Sequence, residues 1–221
     1  MGVSLGAGEH TWKATAMRGR LITIEGLDGA GKTTLAEGLA VALRADGRSV
    51  EVLREPGGVE LSERIRALVK DPSLQVDARA EALLYAAARA QLVAERLEPA
   101  LAAGTWVLLD RFVDSSLAYQ GAGRGLGVEE VRAINLFGTG GLTPDRTLLL
   151  RVDRATRAAR QAVRGEAPDR LEREGDGFFD AIGTAYDELA AAEPERFRVL
   201  DAGRAPEEVV AAAVAAVSDL V

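Results

Sequence analysis

Residues 26–34 read GLDGAGKTT and set one ammonium, one carboxylate and two hydroxyls among three glycines. Gly26, Gly31, Lys32 and Thr33 satisfy the spacing G-x-x-x-x-G-K-[ST]. Glycines let successive backbone N–H groups curl round phosphate oxygens, the start of a following helix adds partial positive charge, and a lysine supplies a point charge for the β and γ phosphates. Thr33 offers a hydroxyl to Mg²⁺. The lysine stands out, because only three of the 27 basic residues are lysines. Gly26, Leu27, Asp28, Gly29, Ala30, Gly31, Lys32, Thr33 and Thr34 are therefore expected to hold ATP or a similar triphosphate. A glycine turn before an ordinary helix is the competing reading. It is disfavoured by the flanks, a strand-like LITIE before the loop and a helix-like TTLAEGLAVALR after it. The motif by itself names no second substrate.

Two further groups carry chemistry. Asp110 and Arg111 end a strand-like run, where an acid can hold a cation through water and an arginine can fork onto a phosphate. Tyr85 and Arg89 are four apart and share a helix face, so a ring able to stack on a base sits beside a donor fork. A surface Asp-Arg pair is common on its own but implausible beside the phosphate loop, whereas a lone aromatic and arginine on a helix are more often core edge and solvated surface.

The elements that must position these groups alternate. Strands are expected at 21–25, 49–55, 106–110, 146–153 and 196–201. Helices are expected at 33–45, 60–69, 78–103, 128–138, 154–164, 178–192 and 206–219. This order implies an α/β fold of the P-loop NTPase type, three-layered, with a parallel sheet, helices on both faces and ligands at the carboxyl ends of the strands. Residues 18–221 read as one domain, preceded by a polar, Gly-rich segment, 1–17, expected to be disordered. Residues 164–177 form a polar, Gly/Pro-punctuated surface excursion expected to be mobile.

Composition excludes several classes. With no cysteine and one histidine, His10, thiolate sites, disulfides and imidazole triads lack material. A net charge of −7 disfavours nucleic acid as a partner, and no apolar run approaches the ~20 residues of a membrane span. A cytoplasmic protein is expected.

Several stretches together resemble the thymidylate kinases, which make dTDP from dTMP and ATP: IEGLDGAGKTT, REPGG (54–58), LLYAAARAQ (83–91), LLDRFVDSSLAYQGAGRG (108–125), and DRLERE followed by FF (169–179). The resemblance runs from about Arg20 to the C-terminus. It implies that Arg111 grips the acceptor phosphate, Tyr85 stacks on thymine and Arg89 reaches its O4. Ser116 faces the base with its neighbour Ser115, and Tyr119 lies against the sugar, where a 2′-hydroxyl would clash, beside Gln120. Arg54, Glu55 and Pro56 line the acceptor site, and Asp28 lies near the sugar 3′-hydroxyl and the metal. Mg²⁺ is implied, on Thr33 and Asp110. Val59 and Ala162 depart from the family's frequent Thr and Arg. Because Gly29 carries no charge, the resemblance sends the arginine of phosphoryl transfer to a lid around 154–177. Arg160, Arg164 and Arg170 are the candidates as a group. A homodimer through 78–103 and 128–138 is also implied. The alternatives are a kinase for another nucleotide or a deoxynucleoside, and an ATP-hydrolysing switch protein.

Overall fold

Leu21–Glu25 forms β1, whose five residues are all buried. A strand covered on both faces favours a near-continuous apolar run, and LITI supplies it up to the acid that closes the strand, with the Thr23 hydroxyl paired to Thr147 Oγ1 at 2.8 Å. The computed structural model of the chain describes residues 18–164 and 169–220, the side chains of Gln161 and Arg164 excepted. The segment 1–17, the centre of the polar excursion and the Arg164 side chain lie outside the described residues.

After β1 follow α1 (Lys32–Ala45), β2 (Val50–Arg54), α2 (Glu60–Lys70), α3 (Ala78–Leu92), α4 (Glu98–Ala102) and β3 (Trp106–Asp110). Then come α5 (Val113–Ser116), α6 (Val128–Thr139), β4 (Arg146–Arg151), α7 (Arg154–Arg164), α8 (Asp176–Ala192), β5 (Phe197–Asp201) and α9 (Pro206–Val217). The five strands form one parallel sheet in the order β2-β3-β1-β4-β5. Side-chain alternation splits the core into layers. Ile22, Ile24, Leu108 and Leu148 pack with Leu39 of α1 and Ala213 of α9. Leu21, Val107 and Leu109 face Leu92 and Leu97 on the other side.

The helix expected over 78–103 is interrupted by a π-turn at Val93–Leu97. Pro99 has no N–H for the regular ladder, and the wider turn lets the chain run on into α4. A second π-helical stretch, Leu117–Gly123, continues α5 and carries Tyr119 and Gln120. The strand expected to reach residue 153 stops at Arg151. Asp153 turns outward there to cap α7, accepting from Thr156 N at 2.9 Å and Thr156 Oγ1 at 2.6 Å.

Candidate active site

The loop between β1 and α1 opens at the carboxyl edge of the sheet, between β3 and β4. Gly26 has φ +135°, and a Cβ there would lie 2.7 Å from Leu150 O, so only glycine fits. The Lys32 Nζ donates to Gly26 O at 3.1 Å and Leu27 O at 3.2 Å, strapping the ammonium across its own loop. Burial pulls the Lys32 pKa down and Arg111 adds to this, while Asp28 and Asp110 oppose it.

β3 lies directly beside β1, with Asp110 opposite Ile24, and this brings Asp110 and Arg111 to the loop. Arg111 has φ +71°, a left-handed conformation unusual for a residue with a Cβ. Its Nη2 donates to Asp28 Oδ1 at 2.8 Å and Tyr119 Oη at 3.1 Å, and its Nη1 donates to Ser115 Oγ at 3.0 Å. Burial acts to raise the Asp28 carboxyl, but Arg111 and Lys32 outweigh it and hold the group well below the carboxylate range. Thr33 Oγ1 lies 3.5 Å from Asp110 Oδ2, and Asp110 Oδ1 is buried without a protein partner. Among the described residues no three His, Cys, Asp or Glu side chains cluster to hold a metal. A hydroxyl beside a half-satisfied carboxylate suits a hard cation that takes its other ligands from phosphate and water.

A cleft of about 620 Å³ runs from this loop between α3 and the α5 region. Of the described site residues singled out in the sequence, all line it except Gly26, Leu27, Ala30 and Arg170. Arg89 is 2% exposed, far from the solvated surface that a helical arginine alone would suggest. Its Nε donates to Glu55 Oε2 at 2.7 Å, Nη1 to Ser116 Oγ at 3.0 Å and to Asn135 Oδ1, and Nη2 to Phe112 O at 2.9 Å. A guanidinium has five N–H donors, so one Nη2 hydrogen is left over at the cleft. Tyr85 lines the same wall.

Burial drives Glu55 up to about 7, against the opposing pull of Arg89. A carboxyl raised above its unfolded value of 4.5 adds stability that is present below that value and lost as pH rises through about 7. Wild type is therefore expected to lose stability relative to Glu55→Gln between pH 5 and pH 8, by up to about 3 kcal/mol. Urea midpoints of the two proteins at both pH values check this, and a constant difference would refute it.

Arg160 reaches back from α7 to the phosphate loop, its Nη1 3.4 Å from Ala30 O and its Nη2 2.9 Å from Ala202 O. It also lines a second cleft, of about 160 Å³, with Thr34, Leu150, Ala202, Arg204 and Pro206. Arg170 sits elsewhere. Its Nε donates to Val69 O at 3.0 Å and its Nη2 to Glu81 Oε2 at 2.6 Å.

Several participants went unread in the sequence. Arg66 and Lys70 line the cleft from α2, and Lys70 pairs with Asp169 at 2.9 Å. The rarity that marks Lys32 would have marked Lys70 too. Glu81, fully buried, accepts from Gln120 at 2.8 Å and also from Arg124 and Arg170. The described part of the polar excursion is thus seated on α2 and α3 by ion pairs. Glu25 was also missed, although an acid closing a buried strand is a signal. It accepts from Phe112 N at 2.8 Å, Ser115 Oγ at 2.6 Å and Tyr186 Oη at 2.8 Å.

Comparison with known proteins places this geometry. A family model described as thymidylate kinase matches residues 24–213. A thymidylate kinase of Deinococcus radiodurans is 51% identical over 202 residues, covering 91% of this chain and 98% of the relative. Those of Rhizorhabdus wittichii and Lactobacillus delbrueckii subsp. bulgaricus are each 48% identical, over 92% and 90% of this chain and 99% and 95% of the relatives.

Proposed function

The chain belongs to the thymidylate kinase family, and from that premise we propose how its residues divide the work of moving a phosphoryl group from ATP to dTMP. The enzyme is an ATP-dependent nucleoside monophosphate kinase giving dTDP and ADP. The observation that carries the division is that one cleft joins Lys32 and Arg111 at its phosphate end to Tyr85, Arg89 and Ser116 at its inner wall.

The loop Gly26–Thr34 holds the donor's β and γ phosphates, with the donor nucleoside in the second cleft under Arg160 and Arg204. Thymine lies against Tyr85, with its O4 on the spare Arg89 hydrogen. Asp28, Arg54, Glu55, Pro56, Ser115, Tyr119 and Gln120 frame the rest of the acceptor, and Arg111 grips its phosphate. A 5′-phosphate oxygen attacks the γ-phosphorus in line. No general base is needed, because a phosphate monoester has a second pKa near ~6 and is largely dianionic at neutral pH. Lys32 and Arg160 stabilise the charge in transfer, and residues 154–177 act as the lid that brings Arg160 and Arg164 to bear. Thr33, and Asp110 through water, would hold Mg²⁺, which when bound neutralises phosphate charge.

The helix α6 exposes Leu136 (61%) and Phe137 (93%), and α3, packed against it, exposes Leu83, apolar surface suited to a second copy of the chain. No described helix is long and apolar enough to cross a membrane, and we place the enzyme in the cytoplasm as a homodimer.

A coupled assay across nucleoside monophosphates tests the acceptor assignment. dTMP should be turned over best, dUMP less well, and ribonucleotides poorly because the buried Tyr119 closes the 2′ side. Good turnover of UMP or CMP would overturn it.

A further inference from the structure

Arg111 holds a backbone conformation that costs free energy, so something must hold it there. One strap is its own N–H, donated to Ile24 O at 3.0 Å. The other comes from Glu25, the residue after Ile24. Its Oε1 takes the Phe112 N–H at 2.8 Å, on the far side of the strained residue. Its Oε2 takes the Ser115 hydroxyl at 2.6 Å, and Ser115 Oγ is in turn the acceptor for Arg111 Nη1 at 3.0 Å. The same Oε2 accepts from Tyr186 Oη at 2.8 Å, so α8 is fastened to the assembly as well. Glu25 is 0% exposed, and a buried carboxylate is costly unless donors surround it. Three donors do so here, and none of them is an ion-pair partner.

From this geometry we infer that Glu25 is the positioning residue of the phosphoryl acceptor site, setting both the backbone turn and the guanidinium of Arg111. The inference rests on the assignment of Arg111 to the acceptor phosphate. It explains why a strand otherwise made of apolar residues and one threonine ends in a carboxylate with no solvent contact. Glu25 touches neither the cleft nor a reacting atom. Its effect must therefore pass through Arg111 and appear on the acceptor side alone.

A double-mutant cycle tests this, with Glu25→Gln and Arg111→Ala made singly and together. Glutamine keeps the shape but offers one acceptor oxygen where two serve three donors, and its amide group now competes to donate to Ser115. Glu25→Gln should lower kcat/KM for dTMP by about 10- to 100-fold, the scale of a lost hydrogen bond to a charged group, and leave KM for ATP within about threefold. In the Arg111→Ala background the same change should cost less than about threefold. Losses that multiply, or an equal rise in both KM values, would overturn the inference. If Arg111→Ala itself leaves kcat/KM for dTMP intact, the assignment of Arg111 falls, and that outcome is distinct from multiplying losses. Should Glu25→Gln fail to fold, Tyr186→Phe removes one of the three donors and is carried through the same cycle with the same two outcomes.

Discussion

Lys32→Ala is expected to lower kcat by about 10³-fold, with dTMP affinity nearly unchanged. The ammonium is held at the loop mouth by Gly26 O and Leu27 O, 7% exposed, and the anion it pairs with among the described residues is Asp28, 3.9 Å away and already paired with Arg111. Asp28 therefore competes weakly, and most of the Lys32 charge is available to the donor phosphates. Charge developing on the transferring group in a water-poor cleft gains far more from such a fixed cation than it would in solvent. Steady-state turnover at saturating ATP and dTMP, with dTMP binding by calorimetry, is the measurement. A kcat within tenfold of wild type would show that the donor lies elsewhere. Thermal melts must accompany it, because the substitution removes the ammonium from Gly26 O and Leu27 O, of which the second keeps the Ala30 N–H at 3.2 Å.

Arg160 and Arg170 should separate sharply. Arg160→Ala is expected to cost about 10³-fold in kcat, the lower range for an arginine acting on a transferring phosphoryl group. Arg170→Ala should cost about tenfold or less, mainly in KM. The difference follows from where each side chain is held. Arg160 spans Ala30 O and Ala202 O at the phosphate loop, through bonds to carbonyls that carry no charge and are readily exchanged for a phosphate. Arg170 is committed to the buried carboxylate of Glu81 and to Val69 O, and only 12% of its side chain is exposed. Leaving would cost that buried carboxylate one of its two guanidinium partners, so Arg170 fastens the return of the excursion. Equal losses of kcat in the two variants would refute this division.

The phosphate loop was legible because its chemistry is local: nine consecutive residues, flanked by a strand and a helix, fix both geometry and ligand. The alternation of strands and helices likewise implied the parallel sheet, and apolar runs such as LLL (148–150) between helices suit strands covered on both faces. Tyr85 and Arg89 were assigned only through family resemblance, because spacing says that they share a face and not whether that face is wet. The burial of Arg89 depends on Glu55, Ser116 and Asn135, which come from three distant stretches. The partners of Glu25 and Glu81 were hidden for the same reason. A buried carboxylate is identified by the donors around it, and these lie 39 to 161 residues away in the chain. The two π-turns were hidden too, since helical spacing reads through one extra residue per turn.

Arg160 lines both clefts at once, which bears on inhibitor chemistry. A single molecule joining a thymidine analogue to an adenosine analogue would have to thread beneath this one guanidinium. An oligophosphate tether would meet a ready counter-ion there, whereas an alkyl tether of equal span would bury the cation against hydrocarbon. The linked compound draws its advantage from effective concentration, so tether charge should matter more than tether length once the span is reached.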